Sequence, residues 1–287
     1  MQRIHGSNED PGFAKFYLAT KAMVCSRTSG AISRRYFLAG TATALSVPFL
    51  GACLSEPPTG TGSPPGSARL TARPGLPTES PTLGLSELGI GGGRDGVMYV
   101  PQGYSSDTPA PLFIGLHGAG GDADDWASYP DRAEQRGMIF VAPDSRGSTW
   151  DLVDLASRGF GPDVEFIDDM LSYVFERCRI DPSRIALGGF SDGATYALSL
   201  GVGNGDLFSH IVSYSPGLWA IPDPVVGTPD IFVSHGQDDL VLPFSNTANA
   251  IVPALRDRGY DVTFHEFEGG HEVPGDVSET ALDWFLG

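Results

Sequence analysis

The chain has 287 residues, 41% of them apolar and 18% charged, with a formal net charge of −17. Beyond residue 52 the imbalance sharpens, because twelve basic residues, all arginine, face 33 acidic ones. That field repels nucleic acid and anionic lipid surfaces, and three cysteines are too few for a disulfide framework.

The first eighty residues read as an address and a tether. Residues 1–32 form a dispensable extension ahead of a signal, and Met23 is an alternative start. Residues 33–52 pair Arg34-Arg35 with an apolar run too short and too rich in small residues for a comfortable membrane span. Ser33-Arg34-Arg35-Tyr36-Phe37-Leu38 resembles a twin-arginine export signal, and Leu50-Gly51-Ala52-Cys53 resembles a lipoprotein box. That resemblance implies cleavage before Cys53 and lipidation of Cys53, hence attachment to a membrane through a lipid anchor. Residues 53–82 are rich in Pro, Gly, Ser and Thr and predict a flexible to semi-extended tether.

From about residue 83 a single domain begins. Strands are predicted at 96–101, 111–118, 138–144, 184–190, 210–216, 229–236 and 261–267. Helices are predicted at 122–137, 161–178, 192–201, 245–259 and 277–286. Strands alternating with helices predict an α/β fold: a mostly parallel central sheet with helices on both faces. In such sheets ligands bind at the carboxyl ends of the strands.

Gly189-Phe190-Ser191-Asp192-Gly193 places one serine between two glycines, after a buried strand and before a helix. This is the pattern of a nucleophile elbow, whose tight turn leaves no room for side chains two positions either side of the serine. A serine hydroxyl needs a base. His271, in a loop loosened by Gly269 and Gly270 after the last strand, is preferred over His265, which sits within that strand. His117 and His235 precede glycines at strand ends, and His210 reads as a polar cap. The acid that orients the imidazole is assigned to Asp239, with Asp238 the alternative. Backbone N–H donors for an oxyanion are assigned to Asp192 and, in "LHGAGG", to Ala119. Trp150, Phe160 and Trp219 are candidates for a substrate pocket, with ordinary core packing the competing reading. No metal site or cofactor is expected, since no metal-ligand spacing or phosphate loop is present.

Taken together, "LHGAGGDADDW", "RIALGGFSDGATYALSL", "HGQDDLVLPF" and "GGHEVP" resemble the alpha/beta-hydrolase fold, and most closely its phospholipase/carboxylesterase family, across residues 95–287. The resemblance implies a serine esterase with Ser191, Asp239 and His271 as its triad, no large lid domain, and a small-molecule or polymeric ester as substrate. One departure is Asp192, where that family often carries Gln; the backbone donor survives, and a carboxylate is added. Polyester depolymerases and feruloyl esterases share similar motifs, and a peptidase or a non-catalytic surface binding protein are the remaining readings.

Overall fold

The computed structural model describes residues 68–154, 159–222 and 224–287. The residues read as an export signal, Cys53 and the first part of the expected tether lie outside them. Eight strands form one sheet: β1 (Gly84–Glu87), β2 (Gly96–Val100), β3 (Ala110–Leu116), β4 (Ile139–Pro143), β5 (Ile180–Phe190), β6 (His210–Tyr214), β7 (Asp230–Gly236) and β8 (Val262–Phe267). Their order is β1-β2-β4-β3-β5-β6-β7-β8. The first two strands pair antiparallel, as do β2 and β4; every later pairing is parallel.

Six α-helices are present among the described residues: α1 (Tyr129–Arg136), α2 (Pro162–Arg177), α3 (Asp192–Val202), α4 (Phe244–Asn246), α5 (Val252–Asp257) and α6 (Gly275–Leu286), with a 3-10 turn at Ala123–Trp126. Successive strand residues supply opposite faces. Ile114, Leu187, Ile211 and Val233 pack in one core with residues of α2, α3 and α5. Phe113, Ala186, Val212 and Phe232 pack in the other with residues of α1 and α6. Both faces of the central strands are thus covered, which is why they read as continuous apolar runs rather than alternating ones.

Two elements depart from the sequence reading. The antiparallel β1 was not anticipated, because the four residues of "GLSE" carry too little pattern. The helix expected over 245–259 is broken, with a π-helical turn at Thr247–Ile251 between α4 and α5. Pro253 has no N–H to give to the preceding turn, so the wider turn absorbs the missing bond.

The tether assignment is corrected at its C-terminal part. Ala68, Leu70 and Ala72 are buried in the α2/α3 core, one residue in two. The Asn204 amide donates to the Ala68 carbonyl at 2.7 Å and accepts from the Leu70 N–H at 2.9 Å. Arg69 pairs with Asp206 at 2.8 Å, and Asp168 accepts the N–H groups of Thr71 and Ala72. Polar composition concealed an extended segment whose backbone is satisfied by side chains of the domain, so the folded unit begins by residue 68 rather than 83.

Candidate active site

β5 runs into a turn at Ser191, whose φ of 57° and ψ of −116° are strained for a residue with a side chain. The turn is held from both sides: the Ser191 N–H donates to the Tyr214 carbonyl at 2.9 Å, and the Ser191 carbonyl accepts from the Thr195 N–H at 3.1 Å. The flanking glycines are required by close approach. A Cβ on Gly189 would stand 2.3 Å from the Gly193 carbonyl carbon, and one on Gly193 would stand 2.2 Å from the Leu116 carbonyl oxygen. The second glycine thus lets α3 sit against the end of β3.

Three side chains from distant loops converge there. His271 Nε2 lies 2.8 Å from Ser191 Oγ, and His271 Nδ1 lies 2.6 Å from Asp239 Oδ2. The His271 ring rests on Phe190, with centroids 4.8 Å apart. The loops carrying acid and imidazole are joined by backbone bonds from Gln237 to Phe267 and from Asp238 to Gly269, both 2.9 Å. Asp238 is exposed and Asp239 buried, so the acid in contact with His271 is Asp239. Burial works against the Asp239 charge, yet bonds from His235, His271 and the Leu242 N–H outweigh it and hold the carboxyl well below the usual carboxylate range.

The loop after β3 lies against the serine. A methyl group on Gly118 would stand 3.5 Å from Ser191 Cβ. The loop is pinned by the Gly120 N–H to the Ser148 carbonyl at 2.6 Å and by Arg94 to the Gly121 carbonyl at 2.8 Å. The N–H groups of Ala119 and Asp192 have no hydrogen-bond partner among the described residues. His117 is buried, bonds Gly118 O through Nδ1, and accepts the Ser145 N–H on Nε2 at 3.0 Å. Burial pushes its pKa down, and because Nε2 accepts an N–H the ring braces this loop in its neutral form.

A model of the family described as Phospholipase/Carboxylesterase matches residues 156–284. Feruloyl esterase C of Emericella nidulans is 28% identical over 231 residues, covering 68% of this chain and 82% of that one. Feruloyl esterase B of Thermothelomyces thermophilus is 31% identical over 125 residues, only 41% of this chain and 42% of its own. Among solved structures, esterase PE8 superposes with a TM-score of 0.54 at 23% identity, covering 71% of this chain and 99% of that one. Acetyl xylan esterase from Aspergillus awamori gives 0.56 at 18%, covering 70% and 98%. These likenesses, the sheet order and the serine turn agree on one architecture. The chain has the alpha/beta-hydrolase fold, with a serine, histidine and aspartate in hydrogen-bond contact at its nucleophile turn.

The three pocket candidates meet the competing reading, packing in or against the core. Trp150 has no exposed surface; its indole N–H donates to the His117 carbonyl at 2.8 Å, and its ring lies 4.9 Å from that imidazole. It is a structural pin, not a wall. Trp219 lies on a segment running along α3 away from Ser191, since Gly217 N–H bonds Thr195 and Ala220 N–H bonds Ser199 one turn further on. Arg258 stands 5.0 Å from its ring. Phe160 is half-buried and edge-on to Tyr196 at 5.8 Å, packed against the core. Aromatic residues in irregular segments looked like pocket walls because composition does not say which way a loop folds.

Two site features escaped the sequence reading. The Asp192 carboxylate accepts from the Thr149 hydroxyl at 2.8 Å, tying the loop after β4 to the start of α3. His235, read only as a strand end, places Nε2 3.0 Å from Asp239 Oδ2. The signal for the second was present, a histidine four residues before the acid, but four residues across a strand end fix no distance.

Proposed function

We propose that this chain is an exported, lipid-anchored carboxylesterase that works through an acyl-enzyme at Ser191. The observation that carries the reading is the unbroken run Asp239–His271–Ser191, at 2.6 and 2.8 Å, beside two unengaged backbone N–H groups. Ser191 Oγ attacks the ester carbonyl while its proton passes to His271 Nε2. The carbonyl oxygen, now anionic, is held by the N–H groups of Ala119 and Asp192. Collapse expels the alcohol, which takes the proton from His271 and leaves an acyl group on Ser191. Water then attacks that ester, giving its proton to His271, and the acid departs as Ser191 recovers its own. Asp239 stays ionised throughout and stabilises the imidazolium. No step calls for a metal or cofactor.

Relatives named feruloyl esterase support a second substrate reading, the hydrolysis of hydroxycinnamoyl esters. Short and medium acyl p-nitrophenyl esters compared with methyl ferulate decide between the two by kcat/KM. Ser191→Ala is expected to abolish turnover of every ester in that panel, and turnover retained by it would remove Ser191 from the mechanism. Loss of membrane association in Cys53→Ala tests the anchor.

A further inference from the structure

We propose that His235 is a positioning residue for Asp239, presenting a second imidazole N–H to the same carboxylate oxygen that His271 uses. This rests on the reading of Ser191, His271 and Asp239 as a catalytic triad. His235 is wholly buried at the end of β7. Its Nε2 faces two acceptors, the Leu242 carbonyl at 2.8 Å and Asp239 Oδ2 at 3.0 Å. Two acceptors at one nitrogen require the proton to be there. Nδ1 is buried with no hydrogen-bond partner among the described residues. A proton on Nδ1 would therefore be buried unpaired, which is costly, so the ring is the neutral Nε2–H tautomer.

The consequence lies on Asp239. Its Oδ1 accepts the N–H groups of Val241 and Leu242, both at 2.8 Å, its Oδ2 accepts from His271, and His235 Nε2 stands 3.0 Å from that same Oδ2. Three hydrogen bonds and the His235 nitrogen beside Oδ2 surround the carboxylate and fix its plane. The bond from His235 also draws charge from Oδ2, which limits how strongly Asp239 raises the basicity of His271. The other ionisable groups nearby are on the surface. Glu266, the register partner of His235 on β8, is exposed and accepts from Gln237; Asp238 and Glu272 are exposed. His235 thus sets the orientation of the acid that His271 contacts.

The test compares His235→Phe, which keeps a ring without the donor, with His235→Gln, whose amide nitrogen reaches the place of Nε2. Full-length protein is used, with active sites counted by a fluorophosphonate probe. In His235→Phe the acid limb of kcat/KM is expected to move up by about half a pH unit, with kcat/KM per titrated site about tenfold lower. His235→Gln is expected to restore both. The midpoint of the His271 imidazole, followed by nitrogen NMR and assigned by its loss in His271→Ala, moves up with the limb. A lower count of active sites with unchanged per-site kinetics and an unmoved His271 midpoint assigns His235 a structural role only and overturns the proposal. Should the Phe variant fail to fold, His235→Asn, too short to reach Asp239, supplies the same comparison. If the wild type neither cleaves esters nor takes the probe, the esterase reading fails, while the His271 midpoint still decides the coupling between the two histidines.

Discussion

The indole N–H of Trp150 donates to the main-chain carbonyl of His117 at 2.8 Å, beneath the loop that presents the Ala119 N–H. Neither residue is exposed by more than 1%. A buried tryptophan therefore fixes the backbone of the loop proposed to hold the oxyanion. Trp150→Phe keeps an aromatic ring and leaves the carbonyl without its donor, at a cost of about 1–3 kcal/mol. Urea unfolding is expected to show that loss, and turnover per titrated site to fall with it. Unchanged stability would show that the carbonyl finds another donor.

Asp239→Asn retains the shape of the acid and removes its charge. The amide can present its N–H to His271 Nδ1 and so favour the wrong imidazole tautomer. A fall in kcat of about 10⁴ is expected, with KM little altered. The native Asp239 carboxyl is held below the ordinary range, so its contribution to stability is complete above the unfolded pKa and lost as pH falls below it. Acid unfolding of Asp239→Asn, set beside the wild type, is therefore expected to show a flatter pH dependence below about pH 4.

Asp125 behaves in the opposite sense. Burial raises its carboxyl from 3.8 to about 6, helped by Asp122, and Oδ2 has no hydrogen-bond partner among the described residues. The folded state holds that proton more tightly than the unfolded chain. Its destabilising effect therefore grows as pH rises from the unfolded value and is complete above about 6. Asp125→Asn is expected to be more stable than the wild type at pH 7 to 8 and equal to it near pH 4. A melting-temperature series across that range is the measurement, and a difference independent of pH would contradict it.

Arg69 and Arg73 both pair with Asp206, at 2.8 and 2.7 Å, and strap the segment at residues 68–73 onto the end of α3. Hydrogen bonds from Arg69, with those from Arg73, hold the Asp206 carboxyl far below its usual range. The pairs are partly exposed, so Asp206→Ala is expected to cost no more than about 1 kcal/mol overall. Its local effect is larger: tryptic cleavage after Arg69 should become several times faster while esterase activity stays unchanged. Equal cleavage rates in the two proteins would show that Asn204 and Asp168 suffice to hold the strap.

The parallel sheet was legible because burial on both faces leaves continuous apolar runs, as in residues 111–116, 185–190 and 231–233. The elbow was legible because only glycine tolerates contacts as close as those of Gly189 and Gly193. Ser191, Asp239 and His271 could each be named from the chain, since each follows a strand whose carboxyl end must face the crevice. The strap at residues 68–73 was not legible, because polar side chains of the domain, rather than its own pattern, satisfy it. Nor were the roles of Trp150, Trp219 and His235, which depend on which way a loop turns. Local sequence determined where strands end and which residue types stand there, through steric limits and periodic burial. Only the tertiary structure decided which of those residues touch, because a hydrogen bond is set to a few tenths of an ångström by the packing of segments distant in sequence, and no local pattern carries that distance.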